Sequence, residues 1–245
     1  MNLPTAQTLY RTIDDTWPAA EVHTTDEWTL RFGAGGGSRV SAATSNTTVS
    51  IADIATAETA MVSWGQSPLF MIREGDEELD QQLSDLGFQI KDPVTMYAAQ
   101  LSEMDIQRPP PVTSFEVWPP LNCQKEIWQD GGIGSGRFDV MERANGPKTT
   151  LLGRLNDTPA GTTFVGISGH LAMMHALEVK NDIRRKGLAR MLTNAACLWG
   201  RDQGAKTMTL VTTTANEAAN RLYSSLGMQV VGHYHYRIKS KDNAT

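Results

Sequence analysis

The stretch "ALEVKNDIRRKGLARML", Ala176–Leu192, decides how this chain is read. It begins inside "LAMMHALEV" (Leu171–Val179), a nearly continuous apolar run of the kind expected of a central strand covered on both faces. It ends inside a second pattern, in which Leu188, Met191, Leu192, Ala195 and Trp199 fall on one stripe of an α-helix. Between strand and helix, Arg184, Arg185, Lys186 and Arg190 crowd around Gly187. At such a junction the free backbone N–H groups and a partial positive charge of about half a unit face outward, where an anion can bind. Gly187 lets the backbone approach a ligand closely, and Ala189 keeps the first helical turn small. The competing reading is a solvated helix end.

The rest of the composition makes that cluster informative. Of 245 residues, 22 are Lys or Arg and 27 are Asp or Glu, for a net charge of −5 with the five His neutral. A nucleic-acid binder carries a basic footprint with interleaved aromatics, so the acidic total weighs against that class. Hydrophobic residues at 40% and charged residues at 20% describe an ordinary globular chain. The opening "MNLPTAQTLYRTIDD" does not read as a signal peptide, and no apolar run reaches the roughly 20 residues of a membrane span. Cys123 and Cys197 stand alone without CxxC spacing, as expected of reduced thiols, and the expected location is cytoplasmic.

"QRPPPVTSFEVWPP" (Gln107–Pro120) reads as a stiff connector and divides the chain into residues 1–108 and 109–245. The first part reads as a helix near Pro4–Asp15, strands "EWTLRF" and "SRVSAATS" joined by a "GAGGG" hairpin turn, a helix near Ile51–Trp64, strand "LFMIR", helix "DEELDQQLSDLGF" and a stretch ending "VTMYAAQL". The second reads as a strand at Phe115–Trp118, helical material to Ala144, two strands at Thr149–Leu155 and Thr162–His170, and "LAMMHALEV". The helix after Gly187 follows, then strand "KTMTLVTT", helix "ANEAANRLYSSLG" and strand "MQVVGHYHYRIK". Alternating strands and helices predict an α/β or α+β class with a mixed sheet. "LSDLGFQI" (Leu83–Ile90) echoes "YSSLGMQV" (Tyr223–Val230), each ending a helix at Leu-Gly, which suggests a duplicated unit.

Arg184-x-x-Gly187-x-Ala189 resembles the Q/R-x-x-G-x-G/A acetyl-CoA signature of the GNAT superfamily of N-acyltransferases. "ALEVKNDIRRKGLARML" looks like that family's fourth strand, pyrophosphate loop and third helix. "TLVTTTANEAANRLYSSLGM" looks like its fifth strand and fourth helix, with Asn216 and Tyr223 at the family's Asn and Tyr positions. The resemblance covers about Phe115–Lys239 and implies the GNAT fold, a mostly antiparallel mixed sheet flanked by helices. Residues 1–108 look like a degenerate second copy, as in tandem-GNAT proteins: the basic glycine loop has no counterpart there, and Leu83 stands where the second copy has Tyr223.

The resemblance implies acetyl transfer from acetyl-CoA to a primary amine, by direct attack within a ternary complex. Arg184, Arg185, Lys186, Gly187, Leu188, Ala189 and Arg190 would hold the pyrophosphate, and Asn216 would position the cofactor arm or the helix. The main chain of Leu177, Glu178 and Val179 would bond the pantetheine arm where this strand splays from the next. Tyr223 would be the acid that protonates the departing thiolate; it lies two helical turns from Asn216 and shares its face. An alkylamine with a pKa of about 10.4 must lose a proton before attack. His175, Glu178 or a water chain could take that proton, with a satisfied core histidine as the competing account of His175.

The partners expected are acetyl-CoA and a small-molecule or peptide amine, with no nucleic acid and no membrane, and a homodimer left open. The alternative is a non-catalytic acyl-CoA-binding regulatory module, which would have no need of the Tyr223 phenol. "GGIGSG" (Gly131–Gly136) lacks a preceding strand and reads as a flexible loop at the acceptor entrance rather than a phosphate loop. "HYHY" (His233–Tyr236) reads as one sheet face near the acceptor; no acidic or Cys partner stands at useful spacing, so no metal is expected. Trp17, Trp28 and Trp64 read as packing residues.

Overall fold

A computed structural model describes residues 2–239. Helix α1 (Ala6–Thr16) is capped by Thr5, whose side chain accepts from the Thr8 N–H. Strands β1 (Glu21–Thr24), β2 (Trp28–Phe32) and β3 (Thr44–Ser45) then form a small antiparallel sheet. The strand expected over Ser38–Ser45 is reduced to β3, because Ser38–Val40 coil into a single 3-10 turn. Gly35 at φ +81° and Gly37 at φ +95° put the preceding backbone in the left-handed region, which breaks an extended run. "GAGGG" therefore opens a long connection between β2 and β3 instead of closing a tight hairpin.

Helix α2 (Ile51–Ser63) starts with a capping box, in which Ser50 and Asp53 each bond the other's backbone N–H. After it come β4 (Leu69–Ile72), α3 (Glu77–Asp85), β5 (Gln89–Gln100), β6 (Ser114–Val117), α4 (Asn122–Asp130) and α5 (Ser135–Arg143). The chain continues through β7 (Lys148–Leu155), β8 (Thr158–Ser168), β9 (Leu171–Val179), α6 (Leu188–Asp202), β10 (Thr207–Thr213), α7 (Glu217–Ser225) and β11 (Gln229–Ile238). Eight of these strands make one sheet in the order β4-β11-β5-β10-β9-β8-β7-β6. Every neighbouring pair is antiparallel except β9 and β10. This is the mixed, mostly antiparallel sheet flanked by helices that the sequence predicts.

The sheet runs unbroken across the connector at residues 101–113, because β5 lies between β10 and β11. The order β4–α3–β5 recurs as β10–α7–β11, and the strands of the two stretches interleave in the sheet. β10 pairs with β5, β4 pairs with β11, and β5 and β11 pair with each other. Both helices end alike. Phe88 N–H reaches the Leu83 carbonyl at 2.9 Å, and Met228 N–H reaches the Tyr223 carbonyl at 3.1 Å. Gly87 at φ +83° and Gly227 at φ +79° make the left-handed turn between them.

Helix α6 covers one face of the sheet with Leu188, Leu192, Ala195 and Trp199, as its stripe predicts; Met191 is only partly buried. Gly153 and Gly161 leave room for it, since a Cβ on either would come within 3.2 Å of the Leu192 side chain. Helix α1 lies on the opposite face, with Thr16 against Gly166. Among the described residues no helix is long and apolar enough to cross a membrane.

Candidate active site

Strands β9 and β10 pair only where Leu171–Met174 face Thr207–Leu210. Past Met174 they separate. Ala176 takes φ +51°, and the register of β8 against β9 slips between the pairs Phe164–His175 and Thr162–Glu178, so β9 bulges away. Val211–Thr213 of β10 stay paired with β5. The result is a wedge whose β9 side, residues 175–179, bonds β8 and has no ladder partner on β10.

The basic loop closes the end of this wedge. Arg185 at φ +67° and Gly187 at φ +84° turn the chain into α6, whose first backbone bond runs from Met191 N–H to the Gly187 carbonyl. The preceding N–H groups lack intrahelical partners and face outward. Two of the four cations are committed to partners within the protein. Arg184 pairs with Glu178 at 2.9 Å and donates to the Val179 carbonyl, and Arg190 donates to Ser225 Oγ at 2.6 Å. Arg185 and Lys186 are exposed and form no ion pair among the described residues.

The residues expected to be catalytic sit deeper than the sequence suggests. His175 is 3% exposed and stacks on Trp17 at 4.9 Å. Thr16 Oγ1 donates its one proton to the Thr12 carbonyl at 2.6 Å, so His175 Nε2 must donate to Thr16, at 2.8 Å. Nδ1 then accepts from Arg39 Nη1 at 2.9 Å. Both ring nitrogens are occupied, and the ring is neutral. Burial, and secondly the Arg39 charge, hold its pKa well below the ordinary histidine value. Of the two accounts of His175 that the sequence left open, this geometry favours the satisfied core histidine.

The buried neutral ring makes folding stability depend on pH. The unfolded chain protonates His175 below about pH 6.5 while the folded chain does not, so stability falls as pH drops through that point. One proton accounts for a slope of at most about 1.4 kcal/mol per pH unit. Urea unfolding at pH 7.5 and 5.5 should show a loss for the native protein that is smaller in His175→Gln; equal losses would refute the assignment.

Tyr223 is 5% exposed and packs on Tyr97 at 5.8 Å. Burial, and then the Tyr97 neighbour, push its phenol well above the ordinary value, so it stays protonated at neutral pH. Asn216 is the N-cap of α7, accepting from Ala219 N–H at 3.1 Å. Asn220, which sequence reasoning passed over, bonds the carbonyls of Thr213, Thr214 and Asn216 and accepts from the Tyr97 hydroxyl at 2.9 Å. A polar side chain interrupting the helical pattern was its one signal.

A cavity of about 400 Å³ lies in the mouth of the wedge. Ala176 and Val211–Thr213 line it from the two splayed strands, and Trp17, Arg39 and Asp92 line it from the first part of the chain. Tyr234 and Tyr236 of "HYHY" complete the sheet side, while His235 turns away to Asp80 at 2.8 Å, which also holds Arg237. Tyr223, His175 and Glu178 are not in the cavity wall; His175 stands directly behind Trp17 and Arg39.

The two glycine-rich stretches meet at this cavity. A Cβ on Gly136 would come within 2.6 Å of the Gly35 carbonyl carbon and oxygen, and Arg137 Nε lies 3.2 Å from where one would stand on Gly37. Gly136→Ala must therefore displace backbone. A loss of about 1–3 kcal/mol is expected, read as a lower urea midpoint; an unchanged midpoint would show that the loops are not in contact.

Residues 112–228 match the sequence model described as the Acetyltransferase (GNAT) family. No curated protein matches the chain closely enough in sequence to count as a relative. Among solved structures, a GCN5-related N-acetyltransferase from Kribbella flavida superposes with a TM-score of 0.75 at 16% identity, covering 98% of this chain and 97% of its own. A functionally unknown conserved protein from Staphylococcus epidermidis gives a TM-score of 0.69 at 14% identity, covering 92% and 96%. A tandem GNAT protein from the clavulanic acid biosynthesis pathway gives 0.61 at 15%, covering 86% and 77%. The wedge, its glycine loop and the family match coincide on the same residues, and it is residues 112–228 that are similar to a GNAT acetyltransferase domain.

Proposed function

We propose that the protein transfers an acetyl group from acetyl-CoA to a primary amine by direct attack. One observation carries this reading: the open β9 edge and the unpartnered N–H groups around Gly187 lie at the same end of one wedge. An extended arm would bond the main chain of Leu177, Glu178 and Val179. The pyrophosphate would rest on residues 184–190, with Arg185 and Lys186 as the free charges. Asn216 fixes the first turn of α7, and so the height of Tyr223.

In the transfer, the amine nitrogen bonds to the thioester carbonyl carbon, the carbon–sulfur bond breaks, and the sulfur takes the Tyr223 proton. The amine's own proton passes to water. His175 and Glu178 have other work in this reading: His175 holds Arg39, and Glu178 holds Arg184. We also read residues 1–108 as a degenerate copy of the unit in 109–245. The recurring strand–helix–strand order, the matching helix ends and the interleaved strands support this.

Calorimetry with acetyl-CoA tests the proposal, and is expected to show one site per chain. Two sites would contradict a degenerate first copy. No binding would reject the acyltransferase, and binding without amine-dependent release of CoA would favour the regulatory module.

A further inference from the structure

The cavity wall holds two guanidiniums, Arg39 and Arg137, and one carboxylate, Asp92. Neither arginine has a carboxylate partner among the described residues. Arg39 spends one N–H on His175 Nδ1 and lies 5.6 Å from the Trp17 ring centroid; Arg137 spends one on the Gly132 carbonyl at 2.7 Å and backs onto Gly37. Each guanidinium has five N–H donors, so most of theirs remain unused. Tyr234, 3% exposed, lines the same cavity beside Tyr236. Asp92 lies 3.8 Å from Lys91 Nζ, which itself donates to Ser38 Oγ.

We propose that the acceptor amine carries a carboxylate, received by Arg39 and Arg137, while Asp92 draws the ammonium end. This deepens the acetyltransferase reading and rests on it. Two cations crowded in a partly enclosed site repel each other until an anion enters, and planar guanidiniums suit a carboxylate's two oxygens. Arg137 bears the mark of that crowding: burial, and secondly the Arg39 charge, lower its pKa. The guanidinium pair and the Asp92 carboxylate, which Lys91 approaches from 3.8 Å, offer opposite charges to the single carboxylate and single ammonium of an amino-acid zwitterion. The volume suits a small molecule rather than a folded partner. His175 and Trp17 hold Arg39 in place, which explains why a buried neutral histidine stands behind the cavity.

The test uses the full chain with saturating acetyl-CoA and amino acids offered beside their decarboxylated amines, phenylalanine with phenethylamine and leucine with 3-methylbutylamine, read by release of the CoA thiol. The member with the α-carboxylate is expected to have at least about tenfold higher kcat/KM, a difference of about 1.4 kcal/mol. Arg137→Gln should erase that preference through KM and leave acetyl-CoA affinity unchanged. A second readout needs no turnover. Modification of Arg39 and Arg137 by phenylglyoxal, followed by peptide mass spectrometry, should slow at least about threefold with N-acetylphenylalanine and not with its methyl amide, as expected if the charge is what binds. Equal or better turnover of the decarboxylated amines overturns the proposal. So does no protection by the carboxylate, or protection by inorganic phosphate alone. Failure of acetyl-CoA to bind in calorimetry would take down the acetyltransferase reading itself, and is seen separately.

Discussion

Tyr223→Phe is expected to lower kcat about 100-fold while leaving acetyl-CoA affinity within twofold, a loss of about 2.7 kcal/mol of transition-state stabilisation. The substitution removes only the hydroxyl. The ring keeps its packing on Tyr97 and its place in the main core, so folding stability should change by less than about 1 kcal/mol. The raised phenol pKa does not disqualify it as an acid. The apolar surroundings that destabilise a phenolate destabilise a departing thiolate as well; burial, against the opposing Arg201 charge, pushes the Cys197 thiol up to about 12. In such a site the proton transfer is governed by the difference between the two groups, not by either value in water. Single-turnover kinetics with acetyl-CoA preloaded isolates the chemical step. A variant that keeps more than half the native rate would end the acid assignment and leave thiolate departure to water.

What the sequence made legible follows from locality. The α6 stripe, the Leu-Gly helix ends and the apolar β9 run are written within a few residues of each other, and each appears where its pattern predicts. Which strand neighbours which is not local. The alternation in β5 and β11 tells which face is buried, but nothing within either strand says that it pairs across to the other stretch. The cavity suffered most from this. "GAGGG" and "GGIGSG" look like unrelated punctuation about a hundred residues apart in the chain. Only the fold sets Gly136 on Gly35 and turns Arg39 and Arg137 toward one space. The two accounts of His175 stayed open in the sequence for the same reason: the groups that occupy its nitrogens, Thr16 and Arg39, come from the first part of the chain.

Gly187→Val is expected to weaken acetyl-CoA binding at least about tenfold, or about 1.4 kcal/mol. Gly187 sits at φ +84°, where a β-branched residue is a genuine outlier and an L side chain costs about 1–2 kcal/mol. A Cβ there would meet no atom within 4 Å, so the free protein has space for the side chain and the fold should survive. The damage falls on the ligand. The new methyl groups stand where the unpartnered N–H groups of the α6 start face outward, and the strained backbone turns those N–H groups off their aim. Removing charge instead, as in Arg185→Ala with Lys186→Ala, should weaken binding in a way that added salt reduces, because those side chains are exposed. The valine effect should persist at high salt. The two variants thus separate a shaped backbone site from a diffuse positive patch. Calorimetry at two ionic strengths gives the result, and an affinity for Gly187→Val within twofold of native would return the basic cluster to a solvated helix start.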